Sequence, residues 1–317
     1  MTKPSAFISS NNPVFYIAEI GGNHEGSYKD AQDLAKLAIS SGADAIKFQL
    51  YRGDTLVSPV ENPDRNTHFK KFELSQEQHL SLAQKITCSG HHYMSSVWDA
   101  KMLKWIDPFI RIHKVGSGDL TCFPFLRLLV KTGKPIILST GLSTLDEISA
   151  SVNFICTLDS SYRENRKLAL LQCTSSYPTI DADANLSAMQ TLRDTFNLPV
   201  GYSDHTIGTL AVEVAVSMGA EIIEKHFTDS RENKTFRDHH VSLTCDEVQM
   251  LLSRLTRIKD MQGSSEKKPT QAELDAGHVL SFRRSLYAAR DLAAGDIITK
   301  SDLTVLRPAH GICASRF

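Results

Sequence analysis

Short runs of β-branched and other apolar residues alternate along this chain with amphipathic stretches, and the alternation repeats about eight times. The runs at 14–20 (VFYIAEI), 44–49 (DAIKFQ), 92–97 (HYMSSV), 110–116 (IRIHKVG), 135–139 (PIILS), 168–173 (LALLQC), 198–202 (LPVGY) and 221–226 (EIIEKH) predict strands. Helices are predicted near 28–41, 75–90, 99–106, 122–132, 143–157, 185–196, 207–218 and 244–262. In the first of these, Ala31, Leu34, Ala35, Ala38 and Ile39 share one face at the 3.6-residue period. Ser75 and Gln78 spell a capping box at the start of the second. Eight strand–helix units point to an α/β fold with a parallel sheet closed into a (β/α)8 barrel. A doubly wound open sheet shares the rhythm, but the unit count and the lack of a G-x-G-x-x-G turn favour the barrel.

Two segments break the rhythm. Residues 50–74 read as a long polar loop after the second strand, of the kind that serves as a lid. Residues 263–281 read as a polar linker. The remaining 282–317 form a small β-rich segment with a turn at Ala294-Gly295-Asp296, too short to own a large core. The expected organisation is an N-terminal arm (1–13), a barrel (14–262), a linker (263–281) and the small segment (282–317).

Composition narrows the function. The chain has 317 residues, 41% of them hydrophobic, which suffices for a barrel of roughly 250 residues and an appendage. With a formal net charge of −1 and no long basic run, nucleic-acid binding is not expected. The six cysteines stand apart, with no CxxC pair, as reduced thiols do. No leader-like apolar stretch opens the chain and no run approaches the ~18 apolar residues of a membrane span. A soluble cytoplasmic protein is expected.

In such a barrel the reactive groups sit at the C-terminal ends of the strands, and the polar residues here gather at those positions. Glu19 ends the first strand ahead of Gly21-Gly22; it points into the mouth or is a structural carboxylate bonded to backbone amides. In the second, alternation puts Lys47 and Gln49 on one face and Ile46 and Phe48 on the other. An inward lysine needs an anion, either a ligand or a buried partner carboxylate. Lys114 precedes Gly116-Ser117-Gly118-Asp119, a flexible turn suited to cradle a phosphate. Ser139 and Thr140 add hydroxyls at the same rim. His205 and His226 end adjacent strands and could share a metal ion, with Glu224 behind them; each alone reads equally as a hydrogen-bonded core histidine. Two imidazoles with oxygen ligands suit Mn²⁺, Fe²⁺, Co²⁺ or Zn²⁺. His239-His240 reads as a surface pair.

Together these stretches resemble the sialic acid synthase family, the N-acetylneuraminate synthases and their nonulosonate relatives. The matching segments are AEIGGNHEG (18–26), GADAIKFQ (42–49), KVGSGD (114–119), KPIILSTG (134–141), GYSDHT (201–206), EKHFT (224–228), RDHHVSL (237–243) and RRSLYAARDLAAGDIITKSDLTVLRPAHGI (283–312). They cover nearly the whole chain in order. The resemblance implies a (β/α)8 barrel followed by a small SAF (antifreeze-like) domain that serves a partner's active site in a domain-swapped homodimer. It implies contacts to phosphoenolpyruvate from Lys47, Ser96, Lys114, Ser117, Ser139 and Ser175, with Gln49 beside them. It also implies metal ligation by His205 and His226, and reactive carboxylates at Glu19 and Asp119. Tyr177 and Asp238 would line the acceptor-sugar pocket, and Arg307 would come from the partner's small domain. The expected cofactor is a divalent metal, Mn²⁺ first, with Mg²⁺ or Co²⁺ as alternatives.

The chain departs from the family pattern at Asp119, where Glu is usual, at Ser175, where Asn is common, and at Phe236-Arg237-Asp238, where Gly-Pro-Asp is common. It also stops at Phe317, about half-way through the small domain the family usually carries. The implied reaction joins C3 of phosphoenolpyruvate to the aldehyde carbon of an open-chain N-acetylmannosamine-type sugar, with Glu19 or Asp119 as base for the water that attacks C2. A sugar aldolase or isomerase on the same barrel, and a sugar- or phosphate-binding relative without turnover, are the alternatives.

Overall fold

The computed structural model describes Ser10 and residues 12–317. Most of the expected arm at 1–13 therefore lies outside the described residues. The chain divides into two compact units, one ending at Gln262 and the other Gly263–Phe317.

The first unit is the barrel. Its strands are β1 (Phe15–Gly21), β2 (Ala45–Leu50), β3 (His92–Val97), β4 (His113–Val115), β5 (Ile136–Ser139), β6 (Leu168–Cys173), β7 (Val200–Asp204) and β8 (Ile222–His226). They run in the order β3-β2-β1-β8-β7-β6-β5-β4, all parallel. A single parallel bridge between Tyr93 and Ile110 joins the two ends. The helices are α1 (Tyr28–Ser40), α2 (Gly53–Leu56), α3 (Pro63–Lys71), α4 (Gln76–Cys88), α5 (Ala100–Ile106), α6 (Phe123–Val130), α7 (Leu145–Leu158), α8 (Ser161–Glu164), α9 (Ala188–Phe196), α10 (Leu210–Ser217) and α11 (Cys245–Gln262). The Ser75–Gln78 capping box forms as expected, Ser75 Oγ accepting from Gln78 N and Gln78 Oε1 from Ser75 N.

Strand alternation sorts the side chains into two cores. Outward residues such as Tyr16, Ile46, Phe48 and Tyr202 pack with the inner faces of the helices. Inward residues Phe15, Ile17, Ala45, Met94, Ile112, Ile137, Ala169, Leu171 and Ile222 fill the lower barrel. Gly201 belongs to this plug: a Cβ there would collide with the Ile222 carbonyl and Leu171, so no side chain fits.

The expected loop at 50–74 is corrected by the structure, which folds it into α2 and α3. Asn62 caps α3 by accepting from Arg65 N (3.1 Å), and Pro63 opens its first turn. Buried Asn66 donates to the carbonyls of Gly53 (2.9 Å) and Val57 (2.7 Å), tying the two helices together.

In the second unit β9 (Ser285–Ala288) and β10 (Leu303–Leu306) pair antiparallel. The stretch read as a linker carries α12 (Gln271–Asp275), started by a Thr270–Glu273 capping box, and α13 (His278–Ser281). Arg290 braces the turn through Asp302 (2.6 Å) and Asp296 (3.1 Å).

Candidate active site

In six of the eight strand positions the inward column turns from apolar to polar toward the C-terminal end. Ile17 is followed by Glu19, Ala45 by Lys47, Met94 by Ser96, Ile112 by Lys114, Ile137 by Ser139 and Ile222 by Glu224. The polar tier floors a cavity of about 1270 Å³. Glu19, Gln49, Ser96, Lys114, Ser117, Asp119, Ser139, Ser175, Tyr177, His205, His226 and Asp238 all line it. Lys47 is buried beneath, in contact with two lining carboxylates. Arg307, the remaining expected residue, belongs to the second unit, where its guanidinium lies over the Phe282 ring.

The floor is a charge cluster set by strand register, in which Glu19 stands opposite Lys47 on one side and His226 on the other. Lys47 Nζ lies 2.7 Å from Glu19 Oε2 and 3.5 Å from Glu224 Oε2. Lys114 Nζ lies 3.6 Å from Glu224 Oε1 and donates to Ser139 Oγ (2.8 Å) and the Val115 carbonyl (3.0 Å). Lys47 is thus a buried lysine paired with carboxylates, directly beneath the cavity floor. The short Lys47–Glu19 contact is electrostatic rather than a well-angled hydrogen bond, and Glu19 Oε2 and Glu224 Oε2 have no hydrogen-bond partner among the described residues. Glu19 Oε1 accepts from Gln49 Nε2 (2.9 Å), not from backbone amides.

Burial would raise the Glu224 pKa, but Lys114, Lys47 and His226 outweigh it and bring it down to about 2. Burial raises Glu19 above the usual carboxylate range, against the pull of Lys47. Burial would lower Lys47, yet Glu19 and Glu224 hold it above the ordinary lysine value. Burial lowers Lys114, with Glu224 opposing and Lys47 adding to the fall. Asp119, half-buried in the 3-10 turn Ser117–Asp119, is raised by burial against Trp98 and Lys114. Glu224 is thus an ionised carboxylate between two lysines. The sequence reading placed it behind the histidines and missed this bridge, because the pairing runs across strands.

Above Lys114 the hydroxyls of Ser117 and Ser175 converge on Gly141, whose N–H donates to Ser117 Oγ (3.0 Å). A Cβ on Gly141 would lie 2.8 Å from each hydroxyl, so only glycine leaves this pocket open. Thr140, expected as a rim donor, is corrected: it is buried and donates to the Leu171 carbonyl (2.9 Å).

His205 and His226 come together with ring centroids 5.3 Å apart. His205 Nδ1 lies 2.8 Å from the Thr174 carbonyl, which only accepts, so Nδ1 carries a proton and Nε2 is the nitrogen available to a metal. Burial lowers the His226 pKa, favouring neutral imidazole, and its Nδ1 has no hydrogen-bond partner among the described residues. This pair fits two nitrogen ligands of a divalent ion. Among the described residues no set of three His, Cys, Asp or Glu side chains closes around an ion, so other ligands would be water or substrate oxygens.

The outer wall joins α3 to the loop after β8. His68 and Phe72 pack on Phe236 (ring centroids 5.8 and 5.0 Å), and the Phe236 ring lies against Gly22. The reading of His239-His240 as a surface pair is corrected: His240 is exposed, but His239 is buried, bonded to Thr228 Oγ1 (2.7 Å) and Glu25 Oε1 (3.2 Å). Behind the mouth, alternation turns Asp204 and Lys225 away from the cavity into a fully buried ion pair (2.6 Å). Lys225 also donates to the Thr206 carbonyl, and Asp204 accepts from Thr206 N (2.8 Å). No helix among the described residues is long and apolar enough to cross a membrane.

Comparison with known proteins bears on the family and the fold. A model of the NeuB family matches residues 34–267, and one of the SAF domain matches 283–316. The chain is 39% identical to an N,N'-diacetyllegionaminic acid synthase from Legionella pneumophila, over 96% of this chain and 88% of that protein. It is 28% identical to the N-acetylneuraminate-9-phosphate synthase of Homo sapiens, over 95% and 85%. A crystal structure of an N-acetylneuraminic acid synthetase from Leptospira borgpetersenii, in complex with citrate, superposes with a TM-score of 0.77. It is 32% identical and covers 84% of this chain and 91% of that one.

Proposed function

The chain belongs to the NeuB family, and on that premise we propose that it condenses phosphoenolpyruvate with an open-chain acetamido sugar and water, giving a nonulosonate and phosphate. One observation carries the reading: Lys114 and two imidazoles line a single barrel mouth walled by hydroxyls, with Lys47 buried directly beneath against Glu19 and Glu224. The lysines hold the phosphate and carboxylate of phosphoenolpyruvate and offset their charge, while Ser96, Ser117, Ser139 and Ser175 donate to the remaining oxygens. His205 and His226 would hold a divalent metal, Mn²⁺ first, which when bound would supply Lewis-acid chemistry at the acceptor carbonyl. Tyr177 and Asp238 orient the sugar. The C2=C3 electron pair of phosphoenolpyruvate forms a bond from C3 to the aldehyde carbon, whose C=O π bond breaks and whose oxygen takes up a proton; water adds to C2, giving its proton to Glu19 or Asp119. The C2–O bond to phosphate then breaks and leaves a 2-keto acid.

The acceptor is a 2,4-diacetamido sugar on this reading, since the diacetyllegionaminic relative is nearer in sequence than the 9-phosphate synthase. The working form is a cytoplasmic homodimer in which Arg307 from one copy's small unit serves the other copy's barrel. The test is release of inorganic phosphate from phosphoenolpyruvate with Mn²⁺ and a panel of acetamido aldoses, with mass spectrometry of the nine-carbon product. Release that requires the sugar, with the product mass, is expected. Sugar-independent release, or conversion of sugar without phosphoenolpyruvate, would sink the reading.

A further inference from the structure

We propose that Glu25 and His239 are positioning residues for the acceptor sugar: they form a latch that moors the loop bearing Asp238 to the turn after β1, and act through that loop rather than on the substrate. This rests on the condensation reading, in which Asp238 orients the sugar. His239 is fully buried and does not line the cavity, while its neighbour Asp238 does. Both of its ring nitrogens are engaged, Nδ1 with Thr228 Oγ1 (2.7 Å) and Nε2 with Glu25 Oε1 (3.2 Å). A carboxylate oxygen only accepts, so Nε2 carries a proton toward Glu25. Burial, with Lys234 adding to it, lowers the His239 pKa, so the ring holds that single proton. Nδ1 then accepts from the Thr228 hydroxyl, as its nearest acceptor, and the Thr228 oxygen accepts from Ser230 N (3.3 Å). Every donor in this chain points the same way, and the chain ends on Glu25.

Glu25 stands at φ +48°, in the left-handed region where glycine is the usual residue. The bond from His239 offsets the strain of holding a glutamate there. The same two segments meet at further points. Asn23 Nδ2 donates to the Phe227 carbonyl (2.9 Å) and to Ser242 Oγ (2.9 Å), and Ser242 Oγ donates to the Asp238 carbonyl (2.6 Å). The Phe236 ring lies so close to Gly22 that a Cβ there would stand 3.1 Å from it. These contacts hold the loop on either side, and the latch fixes the residue next to Asp238. With the latch broken, Asp238 moves with its loop and the sugar loses an anchor. Lys47 and Lys114 lie on β2 and β4, outside this loop, and keep their places. The latch needs an accepting oxygen at position 25 and no charge, so a neutral amide serves it where an apolar side chain does not.

The experiment compares wild type, Glu25→Gln, Glu25→Met and His239→Phe, with phosphoenolpyruvate, Mn²⁺ and the acetamido aldose that wild type uses best. Loss of one such hydrogen bond weakens binding by about tenfold. Glu25→Met and His239→Phe should raise the KM for sugar by about that factor and leave the KM for phosphoenolpyruvate unchanged. Glu25→Gln, which keeps the accepting oxygen, should recover most of the loss. A general folding defect lowers kcat and moves neither KM; where His239→Phe fails to fold, Glu25→Met decides alone. The proposal is overturned if Glu25→Gln is as damaged as Glu25→Met, since the carboxylate would then act on the substrate itself. It is overturned equally if the sugar KM stays put in Glu25→Met, or if both KM values rise together. If no sugar supports turnover, the condensation reading falls, and calorimetric titration of 2-acetamido and 2,4-diacetamido aldoses into the same four proteins decides the latch. Weaker binding in Glu25→Met, recovered in Glu25→Gln, would uphold it; equal affinities, or no binding to wild type, would sink it.

Discussion

Asp204 and Lys225 immediately precede the two histidines in sequence, and neither side chain is exposed at all. A buried ion pair gives little net stability over apolar residues of the same shape, but breaking it is expensive. Lys225→Met should therefore lower the unfolding free energy by roughly 3–5 kcal/mol, leaving the Asp204 carboxylate buried without a cation. Asp204→Leu combined with Lys225→Met should recover most of that loss. Urea unfolding of the single and double variants measures it, and a double variant weaker than both singles would refute the account. At this scale the sequence was informative wherever one strand's alternation decided the matter: Lys47 with Gln49, Glu224 with His226. It was silent where the partner lies on another strand. Nothing in EKH says that Glu224 bridges two lysines, and nothing in DHH says that His239 is buried against Thr228 and Glu25.

The helix α4 carries a buried polar residue, His79, whose imidazole faces Tyr93 Oη at 3.5 Å. Burial, aided by the charge of His24 when protonated, lowers its pKa to about 3. The folded state therefore keeps His79 neutral, while the unfolded chain protonates it below its ordinary value of 6.5. Its contribution is full above that value and is lost as pH falls through the window down to about 3. Between pH 7 and pH 5 wild type should lose about 2 kcal/mol more stability than His79→Gln. Urea unfolding at the two pH values checks this; equal losses would count against it. The strands and main helices were legible because each repeats an apolar period over enough residues. The short helices α2 and α3 were not, since they are polar and owe their shape to Asn66 bonding two carbonyls. The one local sign was Asn62-Pro63, a cap followed by a first-turn proline.

At the scale of the molecule, eight strand–helix units sufficed to foresee a closed parallel sheet, though not that its last seam would be one bridge between Tyr93 and Ile110. Nor could the count of units show how the lower barrel is sealed. Gly201 reads as an ordinary strand glycine until Ile222 and Leu171 are seen pressing on it. That packed floor gives the cavity the form of a well with a bottom. The lysines lie nearest the bottom; Tyr177 and Arg237 lie nearer the brim. Whatever settles on Lys47 and Lys114 must arrive before a sugar covers it and cannot depart past one. Turnover should then follow a compulsory queue, phosphoenolpyruvate ahead of sugar, and initial-rate and dead-end inhibition patterns would show a random order if the well leaked.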